Sequence, residues 1–178
     1  MKSKKANLAI KDMTLIGMMV AVIEVCKIAL AWAPNIELVS FLFIMFTLFF
    51  GRKVVFVVPV FILIEGFVYG VADWWIMYLY VWPLLVFITW LFRKQDSVWF
   101  WCVVSSLFGF FFGFLCSFTY VIMGAVGKGI RYGLNFGFAK WVSGIPFDIP
   151  HGIGNFVIMM VLYHPVRKIL KEAKKLYD

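Results

Sequence analysis

The residues best suited to chemistry lie in one apolar segment near the end of the chain, Trp141 to Phe156. Within it, Asp148, His151 and Asn155 are spaced i, i+3 and i+7, so in a helix they share one face. The segment also carries two prolines, which interrupt helical hydrogen bonding. Kinked backbone and ionisable groups at membrane depth are tolerated where they are buried in protein or line a wet cavity. We therefore expect this face to line a binding cavity.

The composition indicates an integral membrane protein. The chain has 178 residues, of which 64% are hydrophobic, with a mean hydropathy of +0.96, whereas soluble domains are about 45–50% apolar. We expect a single transmembrane domain over residues 1–178. The net charge of +8 would suit nucleic acid, but its distribution fits membrane topology, so the expected partner is the lipid bilayer and not nucleic acid.

Six apolar runs are candidates for membrane-spanning helices, which need about 20 residues each. They cover roughly Asp12 to Ala33, Glu37 to Phe50, Val54 to Val71, Trp74 to Phe92, Val98 to Met123, and Ala139 to Tyr163. In this arrangement 13 of the 17 Lys and Arg residues fall on the side of both termini and three on the other, with Lys27 inside the first helix. The positive-inside rule then predicts an all-α bundle of six transmembrane helices with both termini cytoplasmic.

Two further segments flank the last predicted helix. Gly124 to Phe138 carries five glycines, and we expect it to be a long external loop that acts as a mobile gate or as a slack connector. The tail from His164 to Asp178 is expected to form a short basic amphipathic helix on the cytoplasmic surface.

Ionisable groups also occur within the other predicted helices. Glu24, Lys27 and Glu65 lie in the outer half or near the midplane, as do Asp148 and His151, which favours an external vestibule. A structural alternative is that Lys27 pairs with Glu24 on its own helix or with Glu65 across helices.

Aromatic and basic residues near the external side complete the predicted substrate-binding set. Trp74, Trp75 and Tyr78 are expected to form an aromatic wall, although an interfacial aromatic belt is the alternative. The loop residues are expected to supply polar contacts to the ligand; they are Lys128, Arg131 and Tyr132.

The pattern does not favour an enzyme. A single histidine without a nearby cysteine or second histidine is typical of a hydrogen-bonding group and not of a metal site. The chain has no nucleophile–base–acid pattern, and the G-A-V-G-K-G run at Gly124 lacks the spacing of a phosphate loop. We expect no catalytic residues, metal, cofactor or ATPase in this chain.

Small residues predict close helix packing. Gly17 and Ala21 form a small-xxx-small motif in the first helix, and Gly109 and Gly113 form another in the fifth. Each motif serves either internal packing or docking to another membrane protein.

These features together resemble the substrate-binding S components of energy-coupling factor (ECF) vitamin transporters. The resemblance covers the whole chain, and the Gly17–Ala21 motif is similar to the A-x-x-x-A-like motif through which S components dock on the coupling subunit. Further stretches resemble the cobalamin-specific subgroup: N-I-E-L-V at Asn35, F-G-R-K at Phe50, W-W-I-M-Y-L-Y-V-W at Trp74, and Trp141 to Phe156.

The resemblance implies a high-affinity binding subunit in the bacterial cytoplasmic membrane. Such a subunit associates with a transmembrane coupling subunit and two ATPases, and it topples to deliver a vitamin, here cobalamin or a related corrinoid. The alternatives are another vitamin (folate, pantothenate or riboflavin), a proton-coupled secondary transporter, or a membrane scaffold.

Overall fold

The computed structural model describes residues 2–177, with side chains from Ile10 onward, and in this range the chain is helical without strands. The helices are α1 Lys2–Ala29, α2 Val39–Phe50, α3 Val54–Tyr69, α4 Asp73–Leu91, α5 Val98–Phe110, α6 Phe112–Lys128 and α7 Ile130–Tyr177. Four helical stretches are long and apolar enough to cross a membrane: Val39–Tyr69, Asp73–Leu91, Val98–Lys128 and Ile130–Tyr177. The all-helical prediction is confirmed for these residues, whereas six spans and their orientation stay predictions.

The stretch Val39–Tyr69 folds back on itself at a 3-10 turn, Gly51–Lys53. Gly51 has φ 59°, a left-handed conformation that side-chain-bearing residues rarely adopt. The rings of Phe43 and Phe61 lie 5.6 Å apart, edge to face, although the residues are 18 positions apart in sequence. α2 and α3 therefore form an antiparallel pair, and α2 is the most deeply buried helix, with apolar side chains on all faces.

The long helix α7 packs against α5 and α6, which follow each other with a break only at Phe111. Glycines make this packing close: a Cβ on Gly109 would lie 2.8 Å from the backbone of Gly152, and one on Gly124 would lie 2.9 Å from Gly133. Such small residues allow apolar helices to approach at backbone distance. Gly109 thus serves internal packing, one of the two roles expected for it.

The predicted external loop from Gly124 to Phe138 is wrong. α6 continues to Lys128 and α7 starts at Ile130, so the reversal needs only Gly129, which has φ 89°. Three neighbouring glycines lie inside the helices at positions where they allow α6 and α7 to touch: Gly124, Gly133 and Gly137. The segment is consequently a helical hairpin tip, and the expectation of a mobile gate there is withdrawn.

The basic tail is also continuous with the last helix. α7 runs unbroken through His164 to Tyr177 and is 48 residues long, about 72 Å at 1.5 Å per residue. A bilayer core is about 30 Å thick, so much of α7 projects beyond it. Asp178, the last residue of the predicted tail, lies outside the described residues.

Candidate functional site

The imidazole of His151 is buried between α7, α6 and the connection that precedes α2. Its Nε2 lies 3.2 Å from Oε1 of Glu37, and its ring meets that of Phe112 edge to face at 4.9 Å. The Glu37 carboxylate also accepts the backbone N–H of Ser40, at 2.9 and 3.1 Å from its two oxygens. Glu37 therefore holds His151 and satisfies a free donor at the start of α2 at the same time.

Glu37 lies between α1 and α2, and its surroundings favour the ionised carboxylate. Burial alone raises the pKa of the Glu37 carboxyl, but His151 and the Ser40 N–H together outweigh it and hold that pKa below its ordinary value. The Glu37 carboxylate thus accepts the hydrogen bond that joins it to Nε2 of His151.

Asp148 is held at the junction between α5 and α6. Its Oδ1 accepts the backbone N–H of Gly113, at 2.9 Å, one of the donors near the start of α6 that have no partner within the helix. A Cβ on Gly113 would collide with the carboxyl group, so this residue leaves room for Asp148. Two turns further on, Asn155 is fully buried and its Nδ2 donates to the carbonyl of Ser105 at 3.3 Å.

Several buried polar atoms in this region have no hydrogen-bond partner among the described residues. They are Oγ of Ser40, Nε1 of Trp82, Oγ of Ser105, Oδ2 of Asp148, Oδ1 of Asn155 and one carboxylate oxygen each of Glu24 and Glu65. A buried polar atom left unpaired costs about 1–3 kcal/mol, and almost all such atoms in folded proteins find a partner. Donors and acceptors on α1 to α5 and α7 are therefore available to water or to a ligand.

A second charged group lies where α1 meets α3. The Lys27 ammonium is paired with the Glu65 carboxylate, whose side chain is only 1% exposed, so of the two predicted pairings the interhelical one is found. Lys27 also lies over the rings of Tyr69 and Tyr78, at 4.6 and 5.9 Å from their centroids. Glu24 lies one turn before Lys27 on α1, and one of its carboxyl oxygens is buried without a hydrogen-bond partner among the described residues.

Aromatic rings connect the two polar groups. Trp82 contacts five rings at centroid distances of 5.4–6.1 Å: those of Phe43, Phe61, Tyr78, Phe108 and Phe112. Tyr78 leads from it toward Lys27, and Phe112 leads toward His151. We refer to the side chains of Glu37, Tyr78, Trp82, Phe112, Asp148, His151 and Asn155 as the central cluster.

The structure brings together part of the predicted substrate-binding set. Asp148, His151 and Asn155 are all buried on one side of α7, and Trp74 and Tyr78 are in ring contact at 5.2 Å on α4. Trp75 points elsewhere: its Nε1 donates to the carbonyl of Ile62 at 2.8 Å, so its indole fastens α4 to α3.

The three predicted polar contacts from the expected loop lie apart from this group. The exposed tip of the α6–α7 hairpin carries Lys128, Arg131 and Tyr132. There the Lys128 ammonium lies over the Tyr132 ring, 4.7 Å from its centroid. Asp148 lies about 27 Å further along α7. The sequence did not predict this distance between the hairpin tip and Asp148, because it indicated a loop before Ala139. In the structure those residues form about two further turns of α7.

Sequence reasoning missed three residues of the cluster: Glu37, Trp82 and Phe112. Glu37 is 114 positions from His151, and nothing local links them. The available signal was an acidic residue just before an apolar helix, which favours a helix N-terminus.

The small-residue motif of α1 lies on the outside of the bundle. Gly17 and Ala21 are both exposed, and a Cβ on Gly17 would meet no atom within 4 Å. In the described part of the chain no group of three or more His, Cys, Asp or Glu side chains is placed to hold a metal ion.

Comparison with known proteins adds no assignment: no family model, no curated protein and no solved structure matches this chain. Among the described residues, four helical stretches have the length and hydropathy of membrane spans, which is compatible with a multi-pass membrane protein.

Proposed function

We propose that this chain is the substrate-binding subunit of an ECF-type importer for a vitamin, with cobalamin or a related corrinoid as its cargo. The observation that supports a binding function is the central cluster, in which buried polar atoms of Trp82 on α4 and of Asp148 and Asn155 on α7 lack partners within the described chain. A ligand whose polar groups pair with these atoms forms hydrogen bonds that the free protein lacks, and these bonds contribute to its affinity.

The cluster combines two kinds of contact that a medium-sized organic ligand uses. The rings of Tyr78, Trp82 and Phe112 offer apolar faces, and the side chains of His151 and Asn155 offer oriented polar atoms. Binding sites for such molecules are mostly apolar with a few placed polar groups. Glu37 fixes the orientation of the imidazole and hence the atom it presents.

In this proposal six helices cross the bacterial cytoplasmic membrane with both termini inside. The six are α1, α2, α3, α4, the α5–α6 pair and α7. The chain hydrolyses no ATP; the coupling subunit and two ATPases supply the energy, and the subunit topples to release the vitamin inward.

The docking surface in this proposal is the exposed face of α1 around Gly17 and Ala21. Because the side chains on that face are small and exposed, a helix of the coupling subunit can approach it closely. Replacing either residue by Leu is expected to abolish co-purification with the coupling subunit while leaving vitamin affinity intact. Loss of both properties would assign the two residues to folding instead.

A proton-coupled secondary transporter is the second candidate. The Glu24–Lys27–Glu65 group supports it, because ionisable side chains within membrane-spanning helices often belong to proton relays. Other vitamins, namely folate, pantothenate and riboflavin, remain alternative cargoes for the first candidate.

Uptake into reconstituted vesicles tests the proposal. Vesicles with this chain alone are compared with vesicles that also hold the coupling subunit and both ATPases, each with and without internal ATP, using radiolabelled cobalamin and the other vitamins. The proposal predicts uptake only with the complete set and ATP. Uptake by the chain alone under an imposed proton gradient would replace it with the secondary transporter.

A further inference from the structure

An apolar groove with a volume of about 780 Å³ runs between α3 and α4 on the outside of the bundle. Its walls are side chains that point away from the core, among them Val55, Phe56, Leu63, Leu79 and Phe87. Proline lies in the middle of each wall, Pro59 on α3 and Pro83 on α4. A groove of this size falls in the range of roughly 300–1,000 Å³ that takes small ligands.

The groove extends from one end of α4 toward the other. Trp90 and Trp75 both line it, and 15 residues of helix between them span about 22 Å. Half of a bilayer core is about 15 Å. A lipid acyl chain that enters at the Trp90 end therefore finds an apolar wall along its whole length.

Positively charged side chains lie at the Trp90 end of the groove. Arg52 lines its Trp90 end, and the guanidinium of Arg93 stacks on the Trp90 ring at 4.3 Å. Gly51 lines both the groove and a neighbouring cavity of about 300 Å³, which is bordered by Lys53, Arg93 and Lys174.

Most of this charge is not neutralised by the protein. Lys53 is paired with Asp12 at 2.7 Å, whereas Arg52, Arg93 and Lys174 make no ion pair with any carboxylate among the described residues. Arg93 uses one guanidinium nitrogen to donate to the Trp90 carbonyl at 2.8 Å and keeps its other donors free. Of these three cations, Arg52 lines the groove, and Arg93 and Lys174 border the neighbouring cavity.

We propose that this groove and its basic end bind one anionic phospholipid. An acyl chain occupies the groove, and the phosphate group lies at the basic end, where Arg52, Arg93 and Lys174 supply donors and charge. Guanidinium groups bind phosphate oxygens with paired, charge-assisted hydrogen bonds. Only a ligand with both a long apolar part and an anionic head satisfies both halves of the site. The proposal does not depend on what the central cluster binds.

Native mass spectrometry of the full, detergent-purified chain tests the site. The chain is mixed with equal amounts of phosphatidylglycerol and phosphatidylcholine that carry identical acyl chains. The wild type is expected to retain phosphatidylglycerol at least tenfold more than phosphatidylcholine. The double variant Arg52→Gln/Arg93→Gln is expected to lose this preference.

The matched control is Lys128→Gln/Arg131→Gln, which removes the same charge from exposed residues at the hairpin tip. It is expected to keep the wild-type preference. Equal retention of both lipids by the wild type would overturn the proposal, as would an unchanged preference in the Arg52/Arg93 variant. Loss of the preference in the Lys128/Arg131 variant would show that net charge alone attracts the lipid, and would overturn it too.

A second variant tests the groove itself. Leu79→Trp fills the groove from an exposed position and is expected to reduce retention of phosphatidylglycerol at least fivefold, with an unchanged melting temperature. Inorganic phosphate and glycerol 3-phosphate are added as competitors that lack acyl chains. Displacement of the lipid by either at equimolar concentration would mean a free-phosphate site and would refute a lipid site.

Discussion

At the scale of single residues, Trp82 has a role that burial alone does not explain. Five aromatic rings contact its indole, and a phenylalanine at this position would make most of the same ring contacts. What distinguishes tryptophan is the indole N–H, which is buried and has no partner among the described residues. A donor in that state is costly unless something outside the chain accepts its hydrogen bond.

We predict that Trp82→Phe lowers ligand affinity without destabilising the free protein. Removing the unpaired donor offsets the smaller ring, so the melting temperature should stay within a few degrees of wild type while cobalamin affinity falls about tenfold, the value of one hydrogen bond of about 1.4 kcal/mol. Trp99→Phe, at a position that is 63% exposed, is the control and should change neither. A large fall in melting temperature with unchanged affinity would mean that the indole N–H is already satisfied in the free protein.

Removing one partner of the Lys27–Glu65 pair should destabilise the protein strongly, whereas replacing both partners by apolar residues should destabilise it little. Lys27→Met leaves the Glu65 carboxylate buried without its partner, which costs about 3 kcal/mol. The double variant Lys27→Met/Glu65→Leu removes both charges and should recover most of that loss. Thermal unfolding in detergent measures both.

Lys175→Met serves as the control for the pair, because it breaks the exposed Lys175–Glu172 contact, worth about 0–1 kcal/mol. If the double variant were as unstable as Lys27→Met, the Glu65 carboxylate would be needed for more than pairing.

The sequence identified Asp148, His151 and Asn155 as one face because their spacing is a local property of a helix. It did not identify Glu37 as the partner of His151, since that contact depends on how α7 crosses the start of α2. The choice between Glu24 and Glu65 for Lys27 was open for the same reason.

At the scale of helices, glycine has two different effects in this chain. Gly51 and Gly129 have positive φ and reverse the chain, whereas Gly109, Gly124 and Gly152 lie within helices and remove bulk at contacts. Composition does not separate these uses, which is why the glycine-rich segment after Met123 was predicted as a loop. Only the facing helix shows that a side chain has no room.

We predict that Gly109→Ala destabilises the protein by about 1–3 kcal/mol, the cost of an overpacked contact. Its Cβ would lie 2.8 Å from backbone atoms of Gly152, so α5 and α7 must separate and His151 must shift. Gly127→Ala is the control, because a Cβ there meets nothing within 4 Å and alanine favours helix. Melting temperatures of the two variants check the prediction; equal values would mean that α5 and α7 separate at little cost.

At the scale of the whole molecule, hydropathy predicted the bounds of the central helices more closely than those of the last helix. α2, α3 and α4 begin and end within about two residues of their predicted positions, because runs of apolar side chains fix them. Hydropathy did not predict the full length of α7, because its first residues are glycine-rich and its last residues are polar. The first residues are helical because they pack on α6, and the last residues extend the apolar helix that precedes them. Three of the cations predicted to share one side of the membrane border one cavity: Lys53, Arg93 and Lys174. The orientation of the helices in a membrane stays a prediction.

The most direct test of the proposed function is isothermal titration of the detergent-purified chain with cobalamin and cobinamide, then with the other vitamins. The wild type and His164→Ala, which alters the exposed histidine, are predicted to bind one vitamin with nanomolar affinity. His151→Ala, which removes the buried imidazole and leaves Glu37 without it, is predicted to bind that vitamin at least tenfold more weakly. Equal affinities of the two histidine variants, or no binding of any vitamin by the wild type, would contradict a vitamin site in the central cluster.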